Sequence, residues 1–124
     1  MDEYSKVLAK YVTNLRYEDL GDEVVEKAKM HFLDSLGNIF GAREMPWSKM
    51  VIDVVKKTGG SPQSTVMGME EKYPTMMAAL ANGTMAHGID ADDSGARPSW
   101  AHPGSCIVPA AFSVARPKIQ RERS

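Results

Sequence analysis

Apolar residues recur every three or four positions along most of the chain, a spacing that places them on one face of an α-helix. The first such segment is SKVLAKYVTNL, where Ser5 is in place to cap the start. The second is DEVVEKAKMHFLDSLGNIF, which Asp22 could cap and Gly41 could end. For this second helix we predict a buried stripe made of Val24, Val25, Ala28, Phe32, Leu36 and Ile39.

A third helix is predicted in PWSKMVIDVVKKTGG, with Pro46 in its first turn and glycines 59 and 60 at its end. The residues that follow, 61–74, are rich in turn formers and contain one short β-branched piece from Ser64 to Met67. We therefore predict a loop with at most a short extended segment.

Pro74 opens a fourth predicted helix, TMMAALANGTMAHGID, whose many small residues allow a neighbouring helix to approach closely. A fifth is predicted to begin near Ile107, with Pro109 tolerated in its first turn. The last residues are basic and polar, and Pro117 interrupts the helical pattern, so residues 116–124 are predicted to be a disordered tail. The pattern as a whole predicts an all-α fold.

Composition limits the classes of function. The chain has 124 residues, 43% of them hydrophobic and 25% charged, which is the balance of one soluble globular domain. The net charge of −1 gives no reason to expect nucleic acid or an anionic membrane as a partner. The single cysteine, Cys106, cannot form an internal disulfide, and no secretion signal or membrane-spanning run is evident. A cytoplasmic location is the expectation.

The segment HGIDADDSGARPSWAHPGS, residues 87–105, carries the candidate chemistry. Its histidines and aspartates offer ligands for a metal, but a calcium loop would need a glycine and a glutamate that are absent, and zinc would need a third ligand placed by folding. Its serines lie in no recognised nucleophile motif. We therefore predict no metal site and no serine nucleophile here.

Acid–base chemistry on an acidic substrate is another interpretation of this segment. A carboxylate and an imidazole on one loop can share proton transfers, because histidine titrates near neutral pH. Arg97 could clamp a substrate carboxylate in a bidentate fork. The structural alternative is that Asp90 and Asp93 cap backbone N–H groups while Arg97 pairs with one of them. The residues alone leave both interpretations open.

The longer stretch AALANGTMAHGIDADDSGARPSWAHPGSCIVPAAFSVA resembles the MmgE/PrpD family, which includes 2-methylcitrate dehydratase and cis-aconitate decarboxylase. The shared pattern is an Ala-Ala-x-x-Asn-Gly helix, an Ala-His-x-x-Asp-x-Asp-Asp segment, and a His-Pro turn before an apolar helix that contains proline. The upstream pieces LGDEVVEKAKMHFLDSLGNIFGA and STVMG are also similar, so the resemblance covers about residues 4–115.

The resemblance implies that residues 4–115 form the N-terminal part of a large helical domain whose α/β lid domain is absent, with residues 116–124 outside it. It implies a cofactor-free enzyme, typically a homodimer, that acts on small di- or tricarboxylates by dehydration, decarboxylation or epimerisation. The expected type is a lyase similar to 2-methylcitrate dehydratase. By motif position, Asp90 and His102 are the expected catalytic residues, with His102 as proton donor or acceptor. Ser94 and Arg97 are expected substrate contacts, and Asp92 and Asp93 are expected to fix the loop.

Two departures from the family pattern shape the hypotheses. Many members carry a histidine shortly after the paired aspartates, where this chain has Ser94-Gly95-Ala96-Arg97, which leaves open whether its substrate is methylcitrate or a related acid. Members are also several times longer and take further active-site residues from downstream segments. The first hypothesis is an N-terminal fragment that is inactive alone. The others are a subunit of a split enzyme completed by a second chain, and a non-catalytic helical binding or assembly module.

Overall fold

A computed structural model describes residues 3–95 and 101–122 of the chain, with the backbone alone described for residues 116–122. Within these residues the all-α prediction is confirmed. The elements in chain order are α1 (Glu3–Asn14), a 3₁₀ turn (Tyr17–Asp19), α2 (Asp22–Ala42), α3 (Pro46–Thr58), β1 (Ser64–Thr65), β2 (Lys72–Tyr73), α4 (Thr75–Ala86) and α5 (Pro103–Glu122). The two short strands pair antiparallel, with Ser64 opposite Tyr73.

Helix α4 is the centre of the fold, with α2, α3 and α5 packed around it. Its small residues allow this, because Ala78, Ala81 and Ala86 are fully buried against the neighbouring helices. At Gly83 an added Cβ would lie 3.3 Å from the carbonyl oxygen of Ser105 on α5. The absence of a side chain there lets α4 and α5 approach closely, as the sequence predicts for this helix.

The hydrophobic core is formed where α4 meets its neighbours and the short hairpin. Ile39 and Ala42 come from α2, Val55 comes from α3, and Met85 comes from α4. The loop before α4 also contributes Val66, Met67 and Tyr73. Asn82 on α4 fixes this loop, because its side chain accepts from the Met67 N–H at 2.8 Å and donates to the Thr65 carbonyl at 3.0 Å.

Helix α5 differs from its prediction at both ends. It begins at Pro103 rather than near Ile107, so Pro109 lies in the helix interior. The earlier start is possible because a carboxylate from the preceding loop caps the helix: Asp93 Oδ1 accepts from the N–H of Gly104 at 2.8 Å. Pro103 then occupies the first helical position, which proline tolerates well.

The backbone of residues 116–122, which the sequence predicts to lie in a disordered tail, continues α5 to Glu122. Proline at position 117 has no N–H, so the carbonyl of Ser113, four residues earlier, lacks its intrahelical donor. The hydroxyl of Ser64 on β1 takes that place and donates to the Ser113 oxygen at 2.6 Å. Because the freed carbonyl is satisfied from outside the helix, the interruption does not end it.

The apolar face of α1 and the first half of α2 lie at the surface of the chain. Helix α1 has no buried residue, and its Leu8 and Val12 are 64% and 68% exposed. Of the stripe predicted on α2, Ile39 is fully buried, Val25, Phe32 and Leu36 are partly buried, and Val24 and Ala28 are exposed. The stripe prediction is therefore correct for the second half of the helix and wrong for its start. Among the described residues, no helix is long and apolar enough to span a membrane.

The caps and stops predicted for α1 and α2 also differ from the structure. Ser5 lies inside α1. Gly21 takes the N-cap position of α2, and Asp22 is its first residue. Gly41 does not end the helix, and an added Cβ there would lie 3.2 Å from the side chain of Ile89. Gly41 therefore serves a close contact between α2 and the loop after α4.

Candidate active site

The candidate site lies where α4 ends and α5 begins. His87 follows the last residue of α4, and its N–H still bonds to the carbonyl of Gly83 at 3.2 Å. His102 directly precedes the first residue of α5. The intervening loop is drawn together by a 2.6 Å hydrogen bond from the Gly95 N–H to the Ala101 carbonyl. As a result the two imidazole rings lie beside each other, with 4.8 Å between their centroids.

A single buried carboxylate, that of Asp92, faces both rings. Its side chain is only 2% exposed. One oxygen, Oδ1, lies 2.9 Å from Nδ1 of His87, which is a hydrogen bond. The other, Oδ2, lies 3.6 Å from Nδ1 of His102. These last two atoms are buried, and neither has a hydrogen-bond partner among the described residues.

The environment of Asp92 lowers the pKa of its carboxyl below the ordinary value. Burial is the largest single influence and acts to raise the pKa, because it disfavours the charged form. The hydrogen bond with His87 and the nearby hydroxyl of Ser105 act in the opposite direction and together prevail. Asp92 is therefore ionised at neutral pH and gives the centre of the cluster a fixed negative charge.

Asp90 lies at the exposed edge of the same cluster. Its backbone has a φ of 53°, the left-handed conformation that aspartate tolerates better than most residues. The turn is closed by a hydrogen bond from the Asp90 N–H to the carbonyl of His87 at 3.2 Å. One carboxylate oxygen or ring nitrogen from each of His87, Asp90, Asp92 and His102 lies within 4.8 Å of the others.

Asp93 points away from this cluster. Its Oδ1 caps α5 through Gly104, and its Oδ2 lies 4.0 Å from Nδ1 of His31 on α2. An added Cβ at Gly104 would collide with the Asp93 carboxylate, so the cap depends on glycine at this position. The expectation that Asp93 fixes the loop agrees with this geometry.

The structure thus brings the two expected catalytic residues, Asp90 and His102, into one cluster. Ser94 is exposed on the same loop, and Arg97 lies outside the described residues. Sequence reasoning did not assign a functional role to His87 and assigned Asp92 to the loop. The signal for their contact is that His87 and Asp92 lie five positions apart across the end of a helix. Neither a helical nor a strand period identifies such a pair.

The same four side chains are of the kinds that bind divalent transition metals, with imidazole nitrogens and carboxylate oxygens close together. The contact between His87 and Asp92 is, however, already a good hydrogen bond at 2.9 Å. The arrangement therefore supports direct hydrogen bonding between the ring and the carboxylate. That the site works without a metal stays a prediction.

Two open depressions adjoin the cluster. The larger, of about 670 Å³, lies between α4 and α5; its lining includes His87, Cys106 and Trp47. The indole N–H of Trp47 donates to the carbonyl of Gly88 at 3.0 Å, which ties α3 to the turn after α4. The smaller, of about 330 Å³, lies on the side of α2 and is lined by Lys27 and Asp92 among others. Among the described residues, His87 thus borders the larger depression and Asp92 borders the smaller one.

Comparison with known proteins gives a consistent result. Residues 6–123 match the model of the MmgE/PrpD N-terminal domain. A cis-aconitate decarboxylase-like protein of Aspergillus oryzae is 26% identical over 94% of this chain and 24% of its own length. The cis-aconitate decarboxylase of Mus musculus is 30% identical over 91% of this chain and 23% of its own length. The cis-aconitate decarboxylase of Homo sapiens is 28% identical over 86% of this chain and 22% of its own length. The chain thus spans less than a quarter of the length of these relatives.

Proposed function

Because the chain belongs to the MmgE/PrpD family, we propose that its cluster of His87, Asp90, Asp92 and His102 is one wall of a site for a small di- or tricarboxylate. The reaction is of the lyase or isomerase type. The observation that carries this proposal is the buried Asp92 carboxylate with an imidazole at each oxygen. Such a pair of rings can hold protons beside a bound anion and exchange them with it.

The chemistry of the proposed reaction is proton transfer next to a substrate carboxylate. Dehydration requires removal of such a proton, and decarboxylation requires that one be added where the carboxylate leaves. In this proposal His102 gives or takes the proton, and Asp90 is its electrostatic or proton-transfer partner. Imidazolium rings also attract the substrate carboxylates, which offsets the repulsion from the aspartates.

The favoured substrate is cis-aconitate, with 2-methylcitrate second. The relatives above carry the name cis-aconitate decarboxylase in two of three cases and a name derived from it in the third. The loop also has no histidine in the Ser94–Arg97 stretch, where many family members have one, which weighs against methylcitrate.

A binding titration of the full chain tests the site. We expect cis-aconitate to perturb the NMR signals of His87 and His102, and His102→Gln to weaken binding by about tenfold, the loss typical of one charge-assisted hydrogen bond. His31→Gln is the comparison variant: His31 is not one of the four cluster side chains but borders the smaller depression, so a loss of binding in this variant would place the ligand on the side of α2. Binding that His102→Gln leaves unchanged would contradict the proposal.

We further propose that this wall is completed by a segment the chain does not contain, either downstream sequence or a separate polypeptide. The family's other active-site positions and its lid have no counterpart in these 124 residues. Purified chain should then bind substrate without turning it over. Loss of cis-aconitate or 2-methylcitrate at an enzymatic rate in the presence of the chain alone would exclude this part of the proposal.

A further inference from the structure

We propose that Asp92 is a positioning residue that holds both imidazoles of the site by facing Nδ1 of His87 with one oxygen and Nδ1 of His102 with the other. This inference rests on the proposed function, since the two rings it positions are those expected to meet the substrate. It assigns to Asp92 a role beyond fixing the loop.

The two oxygens of Asp92 lie at different distances from the two rings. The contact of Oδ1 with His87 is a complete hydrogen bond at 2.9 Å, and Oδ2 is 3.6 Å from His102. Both atoms of the longer contact are buried and have no other partner among the described residues. Leaving a buried carboxylate oxygen and a buried ring nitrogen unpaired is costly, so a small closing movement that joins them satisfies both at once.

The Asp92 carboxylate determines which nitrogen of each imidazole holds the proton. A neutral ring carries its proton on one nitrogen only, and a carboxylate can only accept. When Nδ1 faces Asp92, the proton is held on Nδ1, and Nε2 is left with its lone pair free to act as a base. After a proton is taken from the substrate, Nε2 carries it and the ring becomes a cation beside the carboxylate. Asp92 stays ionised throughout.

The neighbouring residues Asp92 and Asp93 have different contacts. The helix cap at Gly104 is made by Asp93, so the Asp92 carboxylate is not needed for it. Other charged groups near this side of the cluster are Asp90 on the same loop and Lys27, His31 and Asp34 on α2. The Asp92 oxygens lie 2.9 Å from Nδ1 of His87 and 3.6 Å from Nδ1 of His102, and the hydroxyl of Ser105 also acts on this carboxylate.

The test is the tautomer of each histidine in the full chain, measured by long-range ¹H–¹⁵N NMR at a pH of about 8, where imidazoles are ordinarily neutral. We expect Nδ1–H to predominate for His87 and His102. Asp92→Asn replaces one of the two acceptor oxygens with an NH2 donor, so the tautomer ratio of at least one of the two rings should shift toward Nε2–H by about tenfold, which one hydrogen bond to a charged group supports. Asp93→Asn, which alters the helix cap instead, should leave both ratios unchanged.

The wild-type spectrum alone can overturn the proposal, so a variant that fails to fold does not leave it untested. Nε2–H as the main tautomer of His102 in the wild type, or unchanged ratios for both rings in a folded Asp92→Asn chain, would refute it. Asp92→Glu keeps the acceptor and should retain part of the Nδ1–H population. No substrate is needed for these measurements. If the tautomers behave as expected but cis-aconitate does not bind, the proposed function fails while the orientation by Asp92 stands.

Discussion

At the scale of single residues, two adjacent aspartates have separate structural roles. Asp92 is buried against two imidazoles, while Asp93 caps a helix. Both residues follow the left-handed turn at Asp90, and their side chains contact different neighbours. Two neighbouring residues of the same type therefore have different contacts: Asp92 contacts imidazole rings, and Asp93 accepts from a backbone N–H.

The lowered pKa of Asp92 predicts a pH dependence of stability. A carboxyl whose pKa is lower in the folded chain stabilises it above the unfolded pKa, and this contribution is lost as pH falls through the folded value. The free energy of unfolding of the wild type should therefore fall more steeply below about pH 4 than that of Asp92→Asn. Urea titrations across this range measure it. Asp53→Asn, at an exposed position on α3, should follow the wild type, and parallel slopes for wild type and Asp92→Asn would contradict the assignment.

The helix cap made by Asp93 predicts a loss of stability when the acceptor is removed. Asp93→Ala should lower the free energy of unfolding by about 1 kcal/mol, because the Gly104 N–H loses its partner at the start of α5. Asp93→Asn retains an acceptor oxygen and should lose less. Chemical denaturation of the two variants measures both effects. Equal losses would show that charge rather than hydrogen bonding stabilises this helix end.

The residues of the site could be predicted only in part. Asp90 and His102 follow from a motif, because their positions are fixed along the sequence. The central place of Asp92 depends on the turn at Asp90 and on the closure of the loop onto Ala101, which are tertiary features. No hydrophobic period marks them. The roles of Asp90, His102, Ser94 and Arg97 stay predictions.

At the scale of elements, helix positions are well predicted and helix ends are not. Helix α3 starts and ends as its proline and glycines indicate. Helix α5 starts earlier and ends later than predicted, because its cap and its replacement hydrogen bond come from Asp93 and Ser64, which lie outside the helix. A terminus stabilised from elsewhere in the chain leaves no local signal.

The bond from Ser64 to α5 predicts a coupling between two distant positions. Ser64→Ala removes the donor to the Ser113 carbonyl and should lower the free energy of unfolding by about 1–3 kcal/mol, the cost of a buried acceptor left unpaired. Pro117→Ala restores an N–H at position 117 that can serve the same carbonyl. Ser64→Ala should therefore cost less in the Pro117→Ala background. A double-mutant cycle measured by urea denaturation tests this, and additive effects would contradict the explanation.

At the scale of the whole molecule, the chain has a compact centre and an uncovered apolar edge. The centre is α4 with the parts of α2, α3 and α5 that touch it. The edge is α1 and the first half of α2, where Leu8, Val12 and Val24 are each more than half exposed. The hydrophobic pattern predicts both helices, but it cannot say which of their faces this chain covers, because that depends on the partner each face meets.

The exposed apolar side chains of α1 predict self-association in solution, since exposed apolar surface favours burial between copies. The measured mass of the purified chain should rise with concentration in light scattering after size exclusion. Leu8→Lys on the apolar face of α1 should reduce this rise at little cost to the helix, because leucine and lysine have similar helix propensities. Thr13→Lys, on the opposite side of α1 by helical spacing, is the matched control. Equal effects of the two variants would mean that net charge, rather than the apolar face of α1, governs association.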